Sequence, residues 1–201
     1  MGRRRTVDPQ TIVAAGARVF ERYGYADSTL DAIAAEAGVS KPTIYQYVAS
    51  KQRLLETIVE QVIYPLREGI SAIVTGDESV TSKIHAFVAL HVDAACRHTA
   101  YYQVLLADQH QLSAPARRNY QAWAHEVDRE TERLLRQGIE EGTVRAGIDP
   151  AVTAKLLNSM LTSIARWYRP GEGHTADSLR REVAQLLQGL IVVPDEAGAD
   201  A

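Results

Sequence analysis

Apolar residues recur along this chain at spacings of three and four, which is the period of an amphipathic α-helix. The alternation of apolar and polar residues that is typical of strands does not extend over any useful length. Helix-capping residues accompany the apolar stripes: Asp8 and Pro9 begin the first stripe, and Gly24 follows its last turn. The pattern therefore predicts an all-α fold of about nine helices, without internal repeats.

The stripes and the capping residues also predict the bounds of these helices. Ser28 or Thr29 caps the second helix, Ser40 caps the third and Thr175 caps the last. Pro65 inside the fourth helix predicts a kink or a break just before it. The expected helices are Pro9–Tyr23, Leu30–Ala37, Lys41–Tyr47, Ser50–Thr75, Ile84–Ala95, Tyr101–His110, Ala114–Glu141, Ala151–Tyr168 and a last one whose stripe runs to Leu190.

The composition of the 201 residues bounds the class of protein. Hydrophobic residues make up 46% and charged residues 23%, which is the balance of a soluble globular protein. No run of 18 apolar residues occurs and the N-terminus has no signal-peptide pattern, so we expect no membrane span. The single cysteine, Cys96, has no partner for an internal disulfide, and a reducing cytoplasm is the expected compartment.

Positive charge is concentrated at the N-terminal end of the chain. Residues 1–53 contain eight Lys and Arg against five Asp and Glu, a net charge of +3. The remaining 148 residues carry a net charge of −6. This asymmetry indicates that only the N-terminal segment meets a polyanion such as DNA.

Residues 28–51 have the pattern of a helix-turn-helix. Two short helices are joined by Ala37-Gly38-Val39-Ser40, in which Gly38 allows a left-handed turn and Val39 fills the space between the helices. In such a unit the second helix enters the major groove of DNA with its N-terminus first. The alternative interpretation is a helix pair inside a bundle that never contacts DNA.

The side chains around the predicted second helix have the chemistry that DNA recognition needs. Lys41 and Lys51 can neutralise phosphates, Gln46 has the paired donor and acceptor that suit adenine, and Arg3–Arg5 form a basic arm. Hydroxyl groups that can hold the DNA backbone belong to Thr43, Tyr45 and Tyr47. Two alternatives stay open: Tyr45 packs on the first helix, and Lys41 is only a solvated charge.

Residues 9–55 resemble the DNA-binding head of the tetracycline-repressor (TetR) family of bacterial regulators. The resemblance lies in Phe20–Tyr25 (FERYGY), Thr29–Ala34 (TLDAIA), Ala37–Tyr45 (AGVSKPTIY) and Ser50–Leu55 (SKQRLL). Many members carry a phenylalanine where Val48 stands, and valine preserves the apolar plug. The residues expected to face DNA, including those that the resemblance implies, are Arg3, Arg4, Arg5, Thr29, Ser40, Lys41, Pro42, Thr43, Tyr45, Gln46, Tyr47 and Lys51.

The resemblance also implies a division of the chain. It predicts a head at residues 1–55 and a helical body at 56–193, while the Ala, Gly and Asp residues after Pro194 predict a disordered tail at 194–201. The last two helices of the body are expected to pair with those of a second copy, so that a homodimer reads a palindromic operator in double-stranded DNA. The alternative is that their stripes only cover the chain's own core. The expected interface residues are Val152, Leu156, Met160, Ile164, Trp167, Leu179, Val183, Leu186, Leu187 and Leu190.

A second resemblance concerns the ligand. Residues 158–171 resemble TetR-type regulators of lipid and sterol breakdown, which respond to acyl-CoA thioesters. The resemblance implies a hydrophobic effector, with an acyl-CoA thioester as one candidate and another hydrophobic small molecule as the alternative. Candidate contacts are Tyr101, Tyr102, Leu105, Tyr120, Trp123, Asn158, Thr162 and Arg166. In the alternative interpretation the aromatic residues belong to the core, and the polar residues form a solvated helix face.

Together these features predict a one-component repressor that leaves its operator when a ligand favours a state in which the fourth helix pivots. The sequence has no phosphate-binding Gly loop, zinc-protease motif or nucleophile elbow, so we expect no enzyme, cofactor or metal. Two rival hypotheses are a helical dimerisation module without DNA, and a thiol or metal sensor that uses Cys96 or the pair His91 and His98.

Overall fold

The computed structural model describes residues 7–191. Their helices are α1 (Pro9–Asp27), α2 (Leu30–Glu36), α3 (Lys41–Tyr47), α4 (Lys51–Thr75), α5 (Val80–Arg97), α6 (Thr99–Asp108), α7 (Ala114–Glu140), α8 (Pro150–Trp167) and α9 (Ala176–Leu187). A short 3-10 turn, Gln109–Gln111, follows α6. Within the described range the only β pairing is an isolated antiparallel bridge between Val144 and Ile191. The prediction of an all-α fold is confirmed. The predicted tail, residues 194–201, lies outside the described range.

Most of the predicted helix starts are confirmed by their caps. The carboxylate of Asp8 accepts a hydrogen bond from the Gln10 amide at 3.0 Å. Asp149 accepts bonds from two amides at the start of α8, and Thr175 forms a reciprocal capping box at the start of α9. These bonds satisfy amides that have no partner inside the helix, which is why polar residues mark helix starts in the sequence.

Helix ends differ more from the prediction. Gly24 has a φ of +75° and a non-helical ψ, but the chain turns once more and α1 ends at Asp27. The fourth helix ends at Thr75 as predicted, and the chain stays helical through Pro65 without a break. The last helix ends at Leu187, so Leu190 is not on it. A terminal carbonyl can be satisfied by a turn or by water, so the sequence constrains helix ends less than helix starts.

One compact unit contains the described residues up to Pro65 together with His98–Gln121. Its core includes Phe20 of α1, Ile33 of α2 and Ile44 of α3, each with almost no exposed surface. Gly16 of α1 allows close packing, since a Cβ at this position would lie 2.7 Å from a methyl of Leu54. Helix α6 packs along α1 within this unit.

The other compact unit contains Leu66–Arg97 and the described residues from Ala122 onward. Helix α5 packs against both α8 and α9, and Phe87 of α5 is part of the buried core. The two units divide the chain at places other than residue 55, and the predicted domain boundaries stay a prediction. Within residues 7–191, no helix has both the length and the apolar character that crossing a bilayer requires.

Candidate nucleic-acid interface

A sharp turn joins α2 to α3. Gly38 has a φ of +66°, in the left-handed region that glycine enters without steric cost. The amides of Gly38 and Val39 donate to the carbonyls of Ala35 and Ala34 at 3.1 and 3.0 Å, which closes the C-terminal turn of α2. The sequence prediction of a left-handed residue at Gly38 is therefore confirmed.

One apolar face anchors helix α3 to its compact unit. Ile44 is fully buried, and Val48 at the end of the helix is 6% exposed. These two positions are four residues apart and lie on the same face, which packs against α2 within the same compact unit. Buried anchors on one side leave the rest of a seven-residue helix available to solvent.

The opposite face of α3 presents polar side chains. Tyr45 is 55% exposed and Tyr47 is 40% exposed, so Tyr45 does not pack into the first helix as the alternative interpretation held. Gln46 lies between them and is also exposed. The exposed residues of this turn and helix that were predicted to face DNA are Ser40, Lys41, Pro42, Tyr45, Gln46 and Tyr47, while Thr43 is half-buried.

The start of α3 corrects one detail of the prediction. Ser40 occupies the cap position, but its side chain makes no capping bond to an amide of the helix. Its hydroxyl bonds to the Thr43 hydroxyl at 2.7 Å, and its carbonyl accepts from the Thr43 amide at 2.9 Å. The reason is local, because Pro42 has no N–H to offer and the next amide is taken by the Ser40 carbonyl. Thr29 does cap α2, since its hydroxyl accepts from the Ala32 amide at 3.1 Å.

Lys41 at the start of α3 forms an ion pair with α2. Its Nζ lies 2.6 Å from Oδ2 of Asp31, and the two side chains are 65% and 49% exposed. The hydrogen bond that Lys41 donates to Asp31 raises the pKa of Lys41 above its usual value, so the amine stays charged. Lys41 is therefore more than a freely solvated charge.

Lys51 has a role that the sequence did not predict. Its ammonium group donates to the carbonyls of Tyr25, Ala26 and Ser28 at 2.6, 3.1 and 2.9 Å. It also lies 4.4 Å from the centre of the Tyr25 ring. An ammonium group has three hydrogens, and each has an acceptor within the protein. In the free protein Lys51 therefore closes the C-terminus of α1, and its predicted phosphate contact stays a prediction. Arg3, Arg4 and Arg5 lie outside the described residues.

The predicted ligand contacts are divided between the two compact units. Tyr101, Tyr102, Leu105 and Tyr120 belong to the first compact unit, and Trp123, Asn158, Thr162 and Arg166 belong to the second. Tyr102 and Leu105 are buried, and burial raises the pKa of Tyr102. Burial of both side chains is what the core interpretation expects of them.

The polar candidates on α8 have partners within the chain. The amide nitrogen of Asn158 donates to Asp128 of α7 at 2.8 Å. The hydroxyl of Thr162 donates to the Asn158 carbonyl at 2.8 Å, and Arg166 is exposed. The Asn158 bond connects α8 to α7, and the Thr162 bond lies within α8. Both bonds occupy groups that the sequence interpretation had assigned to a ligand.

A groove that the sequence analysis missed lies between α4 and α7 of the second unit. It has a volume of about 300 Å³. Its lining combines apolar side chains with charged ones: Arg67, Ile70, Ser71, Val74, Thr75, Trp123, Glu126, Val127, Glu130 and Arg133. Two of its charges are paired across the helices, since Arg67 lies 3.1 Å from Glu126. The apolar pairs Ile70–Val74 and Trp123–Val127 are visible in the sequence, but periodicity does not indicate which two helices meet.

The predicted dimer residues fall into two groups. Ile164, Leu179, Val183 and Leu187 are buried in their own chain, and Leu190 lies beyond α9, so their contact with a second copy stays a prediction. Met160 is half-buried. The exposed apolar residues are Val152, Leu156 and Trp167 of α8 and Leu186 of α9, with exposures of 52%, 67%, 50% and 69%.

The residues proposed for thiol or metal sensing have ordinary structural environments. Burial is the largest effect on the Cys96 thiol and raises its pKa, whereas a reactive thiol has a lowered pKa. His91 is buried, with Nδ1 2.9 Å from the Phe87 carbonyl. Within residues 7–191, no three His, Cys, Asp or Glu side chains are grouped closely enough to hold a metal ion.

A turn-linked helix pair with an exposed polar face on its second helix, joined to further helices, defines a helix-turn-helix transcriptional regulator. Residues 12–58 match the family model "Bacterial regulatory proteins, tetR family", and residues 77–191 match "Tetracyclin repressor-like, C-terminal domain". The chain belongs to the TetR family of DNA-binding transcriptional regulators and is not an enzyme.

Two regulators show how this chain relates to characterised members. It is 27% identical over 188 residues to the HTH-type transcriptional repressor KstR2 of Mycobacterium tuberculosis, covering 86% of this chain and 87% of KstR2. The KstR2 structure, described as a ketosteroid transcriptional regulator, superposes with a TM-score of 0.86 at 22% identity, over 96% of this chain and 98% of that one. AibR in complex with isovaleryl coenzyme A and operator DNA has a TM-score of 0.77 at 19% identity, over 90% and 98%.

Proposed function

We propose that this protein is a homodimeric repressor that reads a palindromic operator with α3 of each copy and leaves it when a hydrophobic small molecule binds. The observation that carries the proposal is the division of α3 into a buried edge at Ile44 and an exposed polar face. A short helix with this division, presented by a left-handed turn at Gly38, suits insertion into a major groove. Because its proposed target is operator DNA, the protein acts in the cytoplasm.

The exposed chemistry of α3 supports direct reading of bases. Gln46 can donate and accept at the same adenine, which discriminates one base pair from the other three. Tyr45 and Tyr47 flank it on the chain, and their hydroxyl groups can bond to phosphate oxygens that fix the register. Their exposure in the free protein leaves these groups available to DNA.

Two copies are proposed to meet through the outer face of α8 and α9. Both helices pack one side against α5 and leave large apolar side chains uncovered on the other. Leu156 and Leu186 are each about two-thirds exposed, and such surface favours association. A twofold contact there gives two copies of α3, as a palindromic site requires.

The groove between α4 and α7 is the proposed effector site. Ile70, Val74 and Val127 can receive an acyl chain or a ring system. A volume of about 300 Å³ is large enough to hold the acyl chain of an acyl-CoA thioester. The phosphates of coenzyme A would then remain outside the groove and pair with Arg67 or Arg133. The AibR complex with isovaleryl coenzyme A supports the acyl-CoA class as the first candidate.

The path from ligand to DNA is proposed to run along α4. This helix begins at Lys51, shortly after α3, and lines the groove with residues 67–75. A ligand that binds better to one position of α4 shifts the equilibrium between positions and changes the affinity of the head for DNA. Such coupling is commonly about 1–3 kcal/mol and acts equally in both directions.

The experiment that tests the DNA half is a selection of duplexes from a random pool with the wild-type protein. We expect enrichment of an inverted repeat whose half-sites are about one helical turn apart. A pool that never converges on a sequence would reject operator binding. It would favour the hypothesis of a dimerisation module without DNA.

The effector half is tested by thermal shift and by titration of the selected duplex with acyl-CoA thioesters, coenzyme A and free fatty acids. Acyl-CoA should stabilise the protein saturably and weaken DNA binding. Ser71→Phe, which fills the groove, should abolish both effects and keep DNA binding, and Glu68→Phe on the same helix is the control. An unchanged response in Ser71→Phe places the effector elsewhere.

A further inference from the structure

In the part of the DNA-binding head that the structure describes, every Lys and Arg side chain has a partner within the protein. In the described residues up to 58, Arg18 and Arg22 of α1 pair with Glu36, and Lys41 pairs with Asp31. Arg53 pairs with Glu56 and Glu60. The ammonium group of Lys51 bonds to three carbonyls. Residues 7–53 contain five basic and five acidic side chains, so this stretch carries no net charge. DNA phosphates must therefore compete with acceptors that the head already has.

These pairs are not equally easy to exchange. Lys51 bonds to three carbonyls, and two of these bonds, to Tyr25 and Ser28, are partly buried, so losing them would open the end of α1. Arg53 contacts two carboxylates of its own helix. Among the described residues, Lys41 forms an ion pair with Asp31 alone, and both side chains are about half exposed or more. An exposed pair of this kind is worth little in water, so another anion can replace the carboxylate.

Lys41 is also the only one of these cations that belongs to α3. Its neighbours on the helix are the exposed Pro42, Tyr45 and Gln46, which form the proposed DNA-reading face. A phosphate that meets this face therefore meets the ammonium group that Asp31 holds at 2.6 Å. Asp31 in turn belongs to α2, so the pair joins the two helices of the head.

We propose that Asp31 is an intramolecular competitor of operator DNA. In the free protein its carboxylate holds Lys41, and on the operator a backbone phosphate takes this ammonium group and leaves Asp31 to the solvent. Each head must break the ion pair before it gains the phosphate contact, so Asp31 limits the affinity for every DNA sequence without contributing to the choice of bases. This inference rests on the proposed function of α3.

The test is a double-mutant cycle with Asp31→Asn and Lys41→Gln. Asparagine keeps the size of the side chain and removes its charge, so Asp31→Asn should tighten binding to the selected duplex by about two- to fivefold per head. The gain should shrink as salt rises, because salt screens the ion pair. In the Lys41→Gln background, Asp31→Asn should have no effect, since the cation that it releases is absent.

Glu21→Gln is the matched control. Glu21 is an exposed carboxylate of α1, and within the described residues no salt bridge involves it. The Glu21→Gln variant tests whether the loss of any negative charge on the head strengthens binding to the duplex. Circular dichroism verifies that each variant retains its helices. Equal gains from Glu21→Gln and Asp31→Asn, a gain that persists without Lys41, or no gain at all would overturn the proposal. Failure of the wild type to select any duplex would instead reject the proposed function.

Discussion

At the scale of single residues, two lysines show how the same charge serves different purposes. Lys41 and Lys51 stand at the starts of α3 and α4, and a sequence reading assigns both to phosphates. The ammonium group of Lys51 bonds to three carbonyls at the end of α1, whereas Lys41 pairs with one exposed carboxylate. Lys51 therefore holds α1 against the start of α4, and we expect its effect on DNA binding to be indirect.

Replacing Lys51 by glutamine tests this assignment. Loss of charge-assisted bonds to partly buried carbonyls should lower the free energy of unfolding by about 1–3 kcal/mol. Operator affinity should fall, but its dependence on salt should keep the same slope, because no phosphate contact is lost. Urea unfolding and DNA titrations at several salt concentrations measure the two quantities.

Lys41→Gln provides the comparison for that experiment. Loss of a phosphate contact should reduce the slope of log affinity against log salt by about 0.9 for each head. The free energy of unfolding should change little, since the pair with Asp31 is exposed. A reduced salt dependence of DNA binding in Lys51→Gln would contradict the structural role of Lys51. It would indicate instead that the Lys51 ammonium group contacts a phosphate.

His91 connects the stability of the protein to pH. Burial in α5 lowers its pKa from 6.5 to about 4, so the folded protein keeps this imidazole neutral while the unfolded chain protonates it below pH 6.5. The unfolded state then binds more protons, and stability should fall by about 2 kcal/mol between pH 6.5 and pH 5. Urea titrations of the wild type and of His91→Leu, compared across this range, isolate the contribution. A parallel loss of stability in His91→Leu would show that another group is responsible.

At the scale of helices, α4 illustrates how tertiary packing overrides a local signal. Pro65 removes one amide from the helix and leaves the carbonyl of Gln61, four residues earlier, without its helical donor. The helix nonetheless continues from Lys51 to Thr75, because buried side chains such as Val62 and Leu66 stand on both sides of the proline. Burial of these side chains is worth more than the missing hydrogen bond.

Pro65→Ala should consequently stabilise the protein. Restoring the hydrogen bond and removing the ring clash outweighs the greater freedom of alanine in the unfolded chain, and we expect a gain of about 2 kcal/mol in the free energy of unfolding. Chemical denaturation measures it. Ala72→Pro, which introduces a second proline into α4, should destabilise the helix, and a destabilised Pro65→Ala would mean that the fold requires the proline.

Helix starts and helix ends were not equally predictable. The side chains of Asp8, Asp149 and Thr175 cap their helices by accepting hydrogen bonds from amides two or three residues later. The residue type alone predicts such caps. The end of α9 at Leu187 depends instead on contacts outside the helix, since the Leu190 carbonyl accepts from the Arg145 amide at 2.8 Å. No local pattern encodes a partner 45 residues away.

At the scale of the whole molecule, the proposed dimer depends on the apolar surface of α8 and α9. A helix can have two apolar faces. The buried face then covers the core of its own chain, and the exposed face is available to a partner. The exposed members, Leu156 and Leu186, are the positions where a charge is least compatible with association.

Leu156→Glu combined with Leu186→Glu should weaken the dimer by a factor of ten or more, because two carboxylates per copy would lose water on association. Sedimentation velocity over a range of protein concentrations measures the change. Lys155→Glu, an exposed residue of the same helix, tests for a general effect of charge. A double variant that remains fully dimeric would place the interface on another surface.

The sequence by itself determined the all-α class, the helix starts and the turn at Gly38, because caps, helical periodicity and backbone freedom are properties of neighbouring residues. It also identified the polar residues of α3. Only the tertiary structure decided that Lys51 faces carbonyls of α1, that Leu179 and Val183 lie inside the chain, and that α4 and α7 enclose a groove. Each of these depends on which side chains meet across a long stretch of chain, and packing rather than local pattern makes that choice.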